Sequence, residues 1–298
     1  MAHPNLFDRK ELKRRRQRAL AAATPGADFL MAAVAQDLGD RLATISRSFP
    51  IGLDLGGHTG HIANVLATSA KVEKVLRGDL MCPDPSLPPP DLVLDDALPP
   101  FREGSLDLVV SALQLHLVND LPGALAQIRK ALRPDGLFLA VLPGTGTLHE
   151  LRDVLMRAEI EQTDGAAPRV APFADTRDLG GLLQRAGFAL PVTDVDPVIV
   201  RYDTLFGLIA DLRAMGATSI LADRNRRPLA RPVLARAAEL YAEDYADADG
   251  RIRATFSLVT LCGWAPHENQ QKPLKPGSAK ARLASALGTT EFSLGGRK

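Results

Sequence analysis

The stretch FPIGLDLGGHTGHIA, residues 49–63, runs from an apolar segment through Asp54 into closely spaced glycines and on into a helical pattern. An apolar strand that ends in such a turn and feeds a helix opens a βαβ unit, and in parallel sheets ligands bind at that end of the strand. The turn needs glycine for left-handed backbone and for close approach to a ligand. Gly56, Gly57 and Gly60 are present, but His58 stands where such turns place a middle glycine. The dinucleotide fingerprint G-x-G-x-x-G is not met, because its later glycines would fall on His58 and His61. A non-glycine residue held left-handed costs roughly 1–2 kcal/mol. The expectation is therefore a pocket with weakened affinity, by about tenfold.

Working outward, residues 25–46 repeat Leu30, Val34, Leu38, Leu42 and Ile45 on one helical face. KVEKVLRGDL, DLVLDDALPPF, SLDLVVSAL and LFLAVLP read as strands two to five, with LPGALAQIRKAL as an amphipathic helix between the last two. The prolines of PDPSLPPPD exclude regular structure there. Near-continuous apolar strands alternating with helices imply a parallel sheet covered on both faces. Further on, TLHELRDVLMRAEIE and TRDLGGLLQRAGF read as helices, the second stopping at Gly187. VTDVDPVIVRY reads as a strand that Pro197 restricts to an edge or a bulge. Two helical stretches at 204–216 and 229–246 precede a last strand, IRATFSLVTLCGWAP. The polar residues beyond Pro266 read as a mobile tail.

Carboxylates follow the turn at intervals. Asp79 ends the second strand, 25 positions after Asp54, where an acid can accept both hydroxyl protons of a ribose. Asp95 follows the third strand, within reach of an adenine amino group. The competing reading of each is a polar strand end facing water.

Composition narrows the classes. The 298 residues are 46% hydrophobic and 24% charged with a net charge of +1, so no global field points to nucleic acid or membrane. Two cysteines, Cys82 and Cys262, are too few for a disulfide framework or a cysteine-rich zinc site. No apolar stretch of 18 residues is present, and membrane-spanning is not expected. The segment DRKELKRRRQRALAAA is arginine-rich, though Asp8 and Glu11 argue against a presequence. It reads either as a solvated basic helix face or as a surface for an anionic partner.

LDLGGHTG, SALQLHLVNDLP, DLGGLLQRAGF, DLRAMGATS and GWAPHENQ, together with NLFDRKELKRRRQRA, carry a resemblance. Asp54 two residues ahead of Gly56 is similar to the D-x-G-x-G-x-G turn of methyltransferases that use S-adenosylmethionine (SAM). The chain resembles that superfamily, and within it the complex I assembly factors assigned as protein-arginine hydroxylases. The resemblance implies an α/β, Rossmann-like fold: a mostly parallel seven-stranded sheet, helices on both faces and a helical insertion between the last two strands. It implies N-terminal helices over 1–47, a methyltransferase-fold domain over 48–264 with the insertion at 204–246, and a polar tail over 265–298.

It also implies SAM as cofactor, held by Asp54, Gly56, Gly57, His58 and Gly60, with Asp79 on the ribose and Asp95 at the adenine. Ser111 and Leu113 would line the pocket, and His116 could face the reacting centre or serve only as a half-buried, hydrogen-bonded histidine. His61, Leu106 and Leu117 depart from the family's more aromatic or apolar residues. The basic opening then belongs to the working protein, which places a bacterial relative in the cytoplasm and a eukaryotic one in the mitochondrial matrix.

Three readings remain at this level. One is an arginine hydroxylase acting on a protein partner, a respiratory complex I subunit. The second is a methyltransferase of a protein or small molecule, and the third a non-catalytic assembly chaperone with a closed SAM site. Residues 9–18 and 204–246 are candidates for substrate contact. His58, His61 and Asp54 match a two-histidine, one-carboxylate metal set in type only, and no metal is expected.

Overall fold

The computed structural model describes residues 5–81, 90–163, 165–270 and 283–289. Contacts divide the chain into residues 1–266 and 267–298. The second unit contains the short helix α9 (Leu283–Leu287). The proline-rich stretch at 83–91 and most of the expected tail fall largely outside the described residues.

The first unit opens with two helices, α1 (Arg9–Ala22) and α2 (Phe29–Thr44). There follow β1 (Phe49–Leu55), α3 (His61–Thr68), β2 (Val72–Asp79), β3 (Leu92–Val93) and β4 (Leu106–Ala112). α4 (Leu121–Ala131) leads into β5 (Leu132–Pro143), then α5 (His149–Gln162), α6 (Thr176–Arg185) and β6 (Ala189–Tyr202). α7 (Leu205–Ala214) and α8 (Arg231–Tyr245) form the insertion before β7 (Ile252–Trp264). The seven strands lie in the order β3-β2-β1-β4-β5-β7-β6, parallel except for β7, which is antiparallel to both neighbours.

Both faces of the sheet are apolar, which is why its strands read as continuous hydrophobic runs. Leu108, Val110, Leu139 and Val141 pack with α2, α3, α5, α7 and α8. Val109, Phe138, Ala140 and Leu142 pack with Ala124, Leu125 and Ile128 of α4 and with Leu179 and Leu183 of α6. Local signals set the helix ends. Asp120 caps α4 by accepting from Gly123 N at 2.9 Å, and Gly187, left-handed at φ 86°, follows the end of α6.

Two expectations needed adjusting. The third strand shrinks to two residues, because after Val93 the chain leaves the sheet for the acidic turn at 95–97. The Arg-Pro-Asp-Gly turn before β5 is absorbed into that strand as an irregularity, with Asp135 left-handed at φ 62°. Pro197 lies in β6, the edge strand, where a missing amide proton is tolerated. No described helix is long and apolar enough to cross a membrane.

Because β1 is flanked by β2 on one side and β4 on the other, the strand order reverses there and opens a crevice at the strand ends. α1 closes over it, tied to the segment after α7. Asp8 N donates to Ile220 O at 2.8 Å, and Phe7, Leu12, Ile220 and Leu221 form a small core. Leu108, fully buried in β4, lies in the larger core beneath α2 and α3. Leu108→Ala is expected to cost about 2–5 kcal/mol of stability, read from urea unfolding.

Candidate functional site

The turn after β1 is built by its glycines. Gly56 and Gly60 are left-handed, at φ 87° and 77°, and His58 is not among the left-handed residues. The backbone cost anticipated for His58 is therefore absent. A Cβ at Gly56 would lie 2.3 Å from Gln114 Cγ, and one at Gly57 would lie 2.1 Å from Asp54 Oδ2. Glycine is thus required at 56 and 57 for space, whereas position 58 has room for a ring. His58 N donates to Gly56 O at 2.9 Å, and the buried imidazole borders two cavities. Burial, and then the nearby Arg16 charge, hold its pKa well below the usual histidine range, so the ring is neutral. Arg77 steadies the turn from β2, its Nε donating to Gly57 O at 2.6 Å.

The acids at the strand ends differ. Asp54 is buried, and its Oδ2 accepts from Ala63 N at 3.1 Å while Oδ1 has no partner. Burial pushes its pKa up to about 7. Asp79 is also buried, with Oδ1 accepting from Met81 N at 2.9 Å and Oδ2 unpartnered. Burial raises its pKa too. Two buried carboxylate oxygens without donors suit a ligand that brings hydroxyl or ammonium protons. Asp95 is different, with 47% of its side chain exposed and an ion pair to Arg9 at 3.2 Å. Its neighbour Asp96 is the buried one, held by Arg9 and by Gln114.

Ser111 is buried, and its Oγ donates to Leu55 O at 2.8 Å and staples β4 to β1. Leu113, left-handed at φ 49°, and His116 both border the first cavity. Nδ1 of His116 is buried without a partner, and burial holds its pKa down to about 3. His61 instead reaches Asp28, at 2.5 Å. Among the described residues no group of three His, Cys, Asp or Glu side chains is arranged to hold a metal.

Sequence reasoning missed Arg9, Arg16, Gln114 and Asp96. It read the basic run as a surface, yet Arg16 is only 5% exposed and Arg9 turns inward to the acids. The available signal was spacing: Arg9 and Arg16 flank the buried Leu12 at −3 and +4, on the same helical face. The covered cavity, about 150 Å³, is bounded by Arg16, His58, Leu113 and His116, with apolar walls from Met31, Leu148 and Phe256. A second cavity of about 370 Å³ shares Arg16, Asp28 and His58 with it and extends along Ala19–Asp28.

A family model described as "Methyltransferase domain" matches residues 28–191. The chain belongs to the methyltransferase-domain family. Among its curated relatives is arginine-hydroxylase NDUFAF5, mitochondrial, of Rattus norvegicus, 38% identical over 99% of this chain and 87% of its own. A malonyl-[acyl-carrier protein] O-methyltransferase of Laribacter hongkongensis is 33% identical, covering 86% of this chain and 90% of its own. The solved YcgJ protein of Bacillus subtilis shares the fold, with a TM-score of 0.52 at 14% identity over 79% of this chain and 99% of its own.

The methyltransferase-domain chain is therefore a SAM-dependent methyltransferase-like enzyme, with SAM as its cofactor. The unpartnered oxygens of Asp54 and Asp79 and the paired glycines Gly56 and Gly57 fit that molecule, which brings an ammonium group and ribose hydroxyls.

Asp54 gives a test of the apo site by pH. Its folded pKa of about 7 lies above the 3.8 of an exposed aspartate. The folded state therefore holds the proton more tightly, and this group's contribution is full below pH 3.8 and lost as pH rises through 7. Stability of Asp54→Asn relative to the natural chain is expected to rise between pH 5 and pH 8, measured by urea unfolding without ligand.

Proposed function

We propose that this enzyme is of the protein-arginine hydroxylase type and modifies a subunit of respiratory complex I during assembly. The observation that carries the reading is the higher identity to the relatives named arginine-hydroxylase, 38% against 33% for the malonyl-[acyl-carrier protein] O-methyltransferase, together with the extent of the match. The family model ends at residue 191 and begins at 28, so α1 and the α7–α8 insertion lie outside it. The match to the rat relative spans 99% of the chain and so includes both elements that cover the crevice.

In this reading Asp79 Oδ2 receives the ribose hydroxyls, Asp54 Oδ1 the ammonium end, and Asp95 or Asp96 the adenine. Gly56, Gly57, His58 and Gly60 surround the cofactor, with Leu113 closing one side. His116, neutral at pH 7 and with its Nδ1 free of partners, is the candidate to face the reacting centre. The exposed side chains of Lys10, Lys13, Arg14 and Arg18 on the outer face of α1 offer a protein substrate a basic surface. The same reading places the enzyme in the mitochondrial matrix of a eukaryote or in bacterial cytoplasm.

The second reading, methyl transfer, rests on the relatives named malonyl-[acyl-carrier protein] O-methyltransferase. The two reactions differ in balance. Replacing C–H by C–OH is a two-electron oxidation that consumes an external oxidant, whereas methyl transfer draws only on SAM. A non-catalytic chaperone loses the argument from backbone strain, since His58 is not left-handed.

Co-expression of the chain with a candidate complex I subunit, followed by peptide mass analysis, separates these readings. One arginine carrying an added oxygen, lost in Asp79→Asn, is expected. An added methylene would establish the methyltransferase, and an unmodified subunit the chaperone.

A further inference from the structure

Arg16 carries a charge that the fold buries without giving it an acid. The other inward-facing cation of α1, Arg9, pairs with Asp95 and Asp96, and Arg14 and Arg15 pair with Glu11. Arg16 has only neutral acceptors, Gln114 Oε1 and Leu113 O, the latter at 3.4 Å. No described carboxylate forms an ion pair with it, and Asp79 acts on it only at longer range. Burial lowers its pKa to about 10, so it stays cationic at neutral pH.

A buried cation with neutral partners is costly to the fold unless something else supplies the anion. Its location says where that anion enters. Arg16 borders both cavities, at the junction it shares with His58 and Asp28. His58 and His116 are neutral there and do not compete for an anion. Among the described residues Asp28 is the one carboxylate bordering these two cavities, and its Oδ2 is already taken by His61. A guanidinium in an apolar chamber matches the two oxygens of a carboxylate.

We propose that Arg16 is the receptor for a ligand carboxylate inside the covered cavity. That carboxylate has two possible sources, the amino-acid end of the cofactor or an acid group on the substrate. Only the first source rests on the SAM reading. In either case the helix that roofs the site also supplies its cation.

Calorimetric titration of the full chain and of Arg16→Gln tests this with three probes. S-adenosylhomocysteine has the amino-acid end, 5′-methylthioadenosine lacks it, and butyrate is a simple carboxylate added with S-adenosylhomocysteine at saturation. For a cofactor contact, the variant should bind S-adenosylhomocysteine at least about 30-fold more weakly and 5′-methylthioadenosine unchanged. Loss of butyrate binding alone would assign the contact to the substrate and equally support the proposal. Unchanged binding of both S-adenosylhomocysteine and butyrate would overturn it. If the natural chain bound neither nucleoside, the cofactor reading would fall, and butyrate without nucleoside would still decide the role of Arg16.

Arg16→Gln breaks no ion pair but removes the hydrogen bonds to Gln114 Oε1 and Leu113 O, so its ligand-free melting temperature is measured beside the natural chain as the control for folding. Should it fail to fold, Arg16→Lys serves instead, keeping the charge but losing the fork. It should retain a preference for the carboxylate probes with reduced affinity, and unreduced affinity would contradict the proposal.

Discussion

The site depends on how closely the chain passes itself at the end of β1. Asp54 Oδ2 and Gln114 Cγ stand where side chains at Gly57 and Gly56 would have to be, at 2.1 Å and 2.3 Å from a Cβ. This crowding brings the acid of β1, the turn and the segment after β4 together without bulk between them. Arg77 then ties down the turn's carbonyls, and Ser111 holds β4 to the last residue of β1. With those ends fixed, the unpartnered oxygens of Asp54 and Asp79 remain inside the crevice as acceptors. A carboxylate left so is unfavourable in the empty fold, as the raised pKa values of both acids record.

The second constraint is charge beneath the cover. α1 lays Arg9 and Arg16 into the same crevice, over Asp95, Asp96 and Gln114. The far ends of that cover are held by the insertion: Arg224 contacts Asp8 at 3.3 Å, and Arg15 meets Thr218. Opposite charges in a shielded site interact strongly, so the cover and the strand ends behave as one electrostatic unit. The family model's match, residues 28–191, takes in neither part of that cover, which makes them the place to seek what distinguishes this enzyme from other methyltransferase-fold proteins.

Much of this was legible in the residues, because repeating apolar positions carry a fold. The continuous apolar runs that bury both faces of β4 and β5 and the stop at Gly187 follow from local chemistry. The tight glycine turn after Asp54 was readable too. Less legible was which of those positions needed the left-handed backbone. Spacing alone put His58 under suspicion, whereas the geometry assigns the left-handed residues to Gly56 and Gly60. The inward turn of Arg16 escaped notice because a run of basic residues looks solvated unless the neighbouring Leu12 is taken to mark the buried face. Asp96 escaped because two adjacent acids cannot be ranked by burial until the chain's path is known.

The central claim is that the turn, with His58 in place, still holds SAM. Calorimetric titration of SAM into the full chain, beside His58→Gly, tests it directly. The natural chain should bind, and the glycine variant should differ from it by less than about tenfold. Binding by the variant with none by the natural chain would mean that His58 closes the pocket, and the account of the turn given above would be wrong.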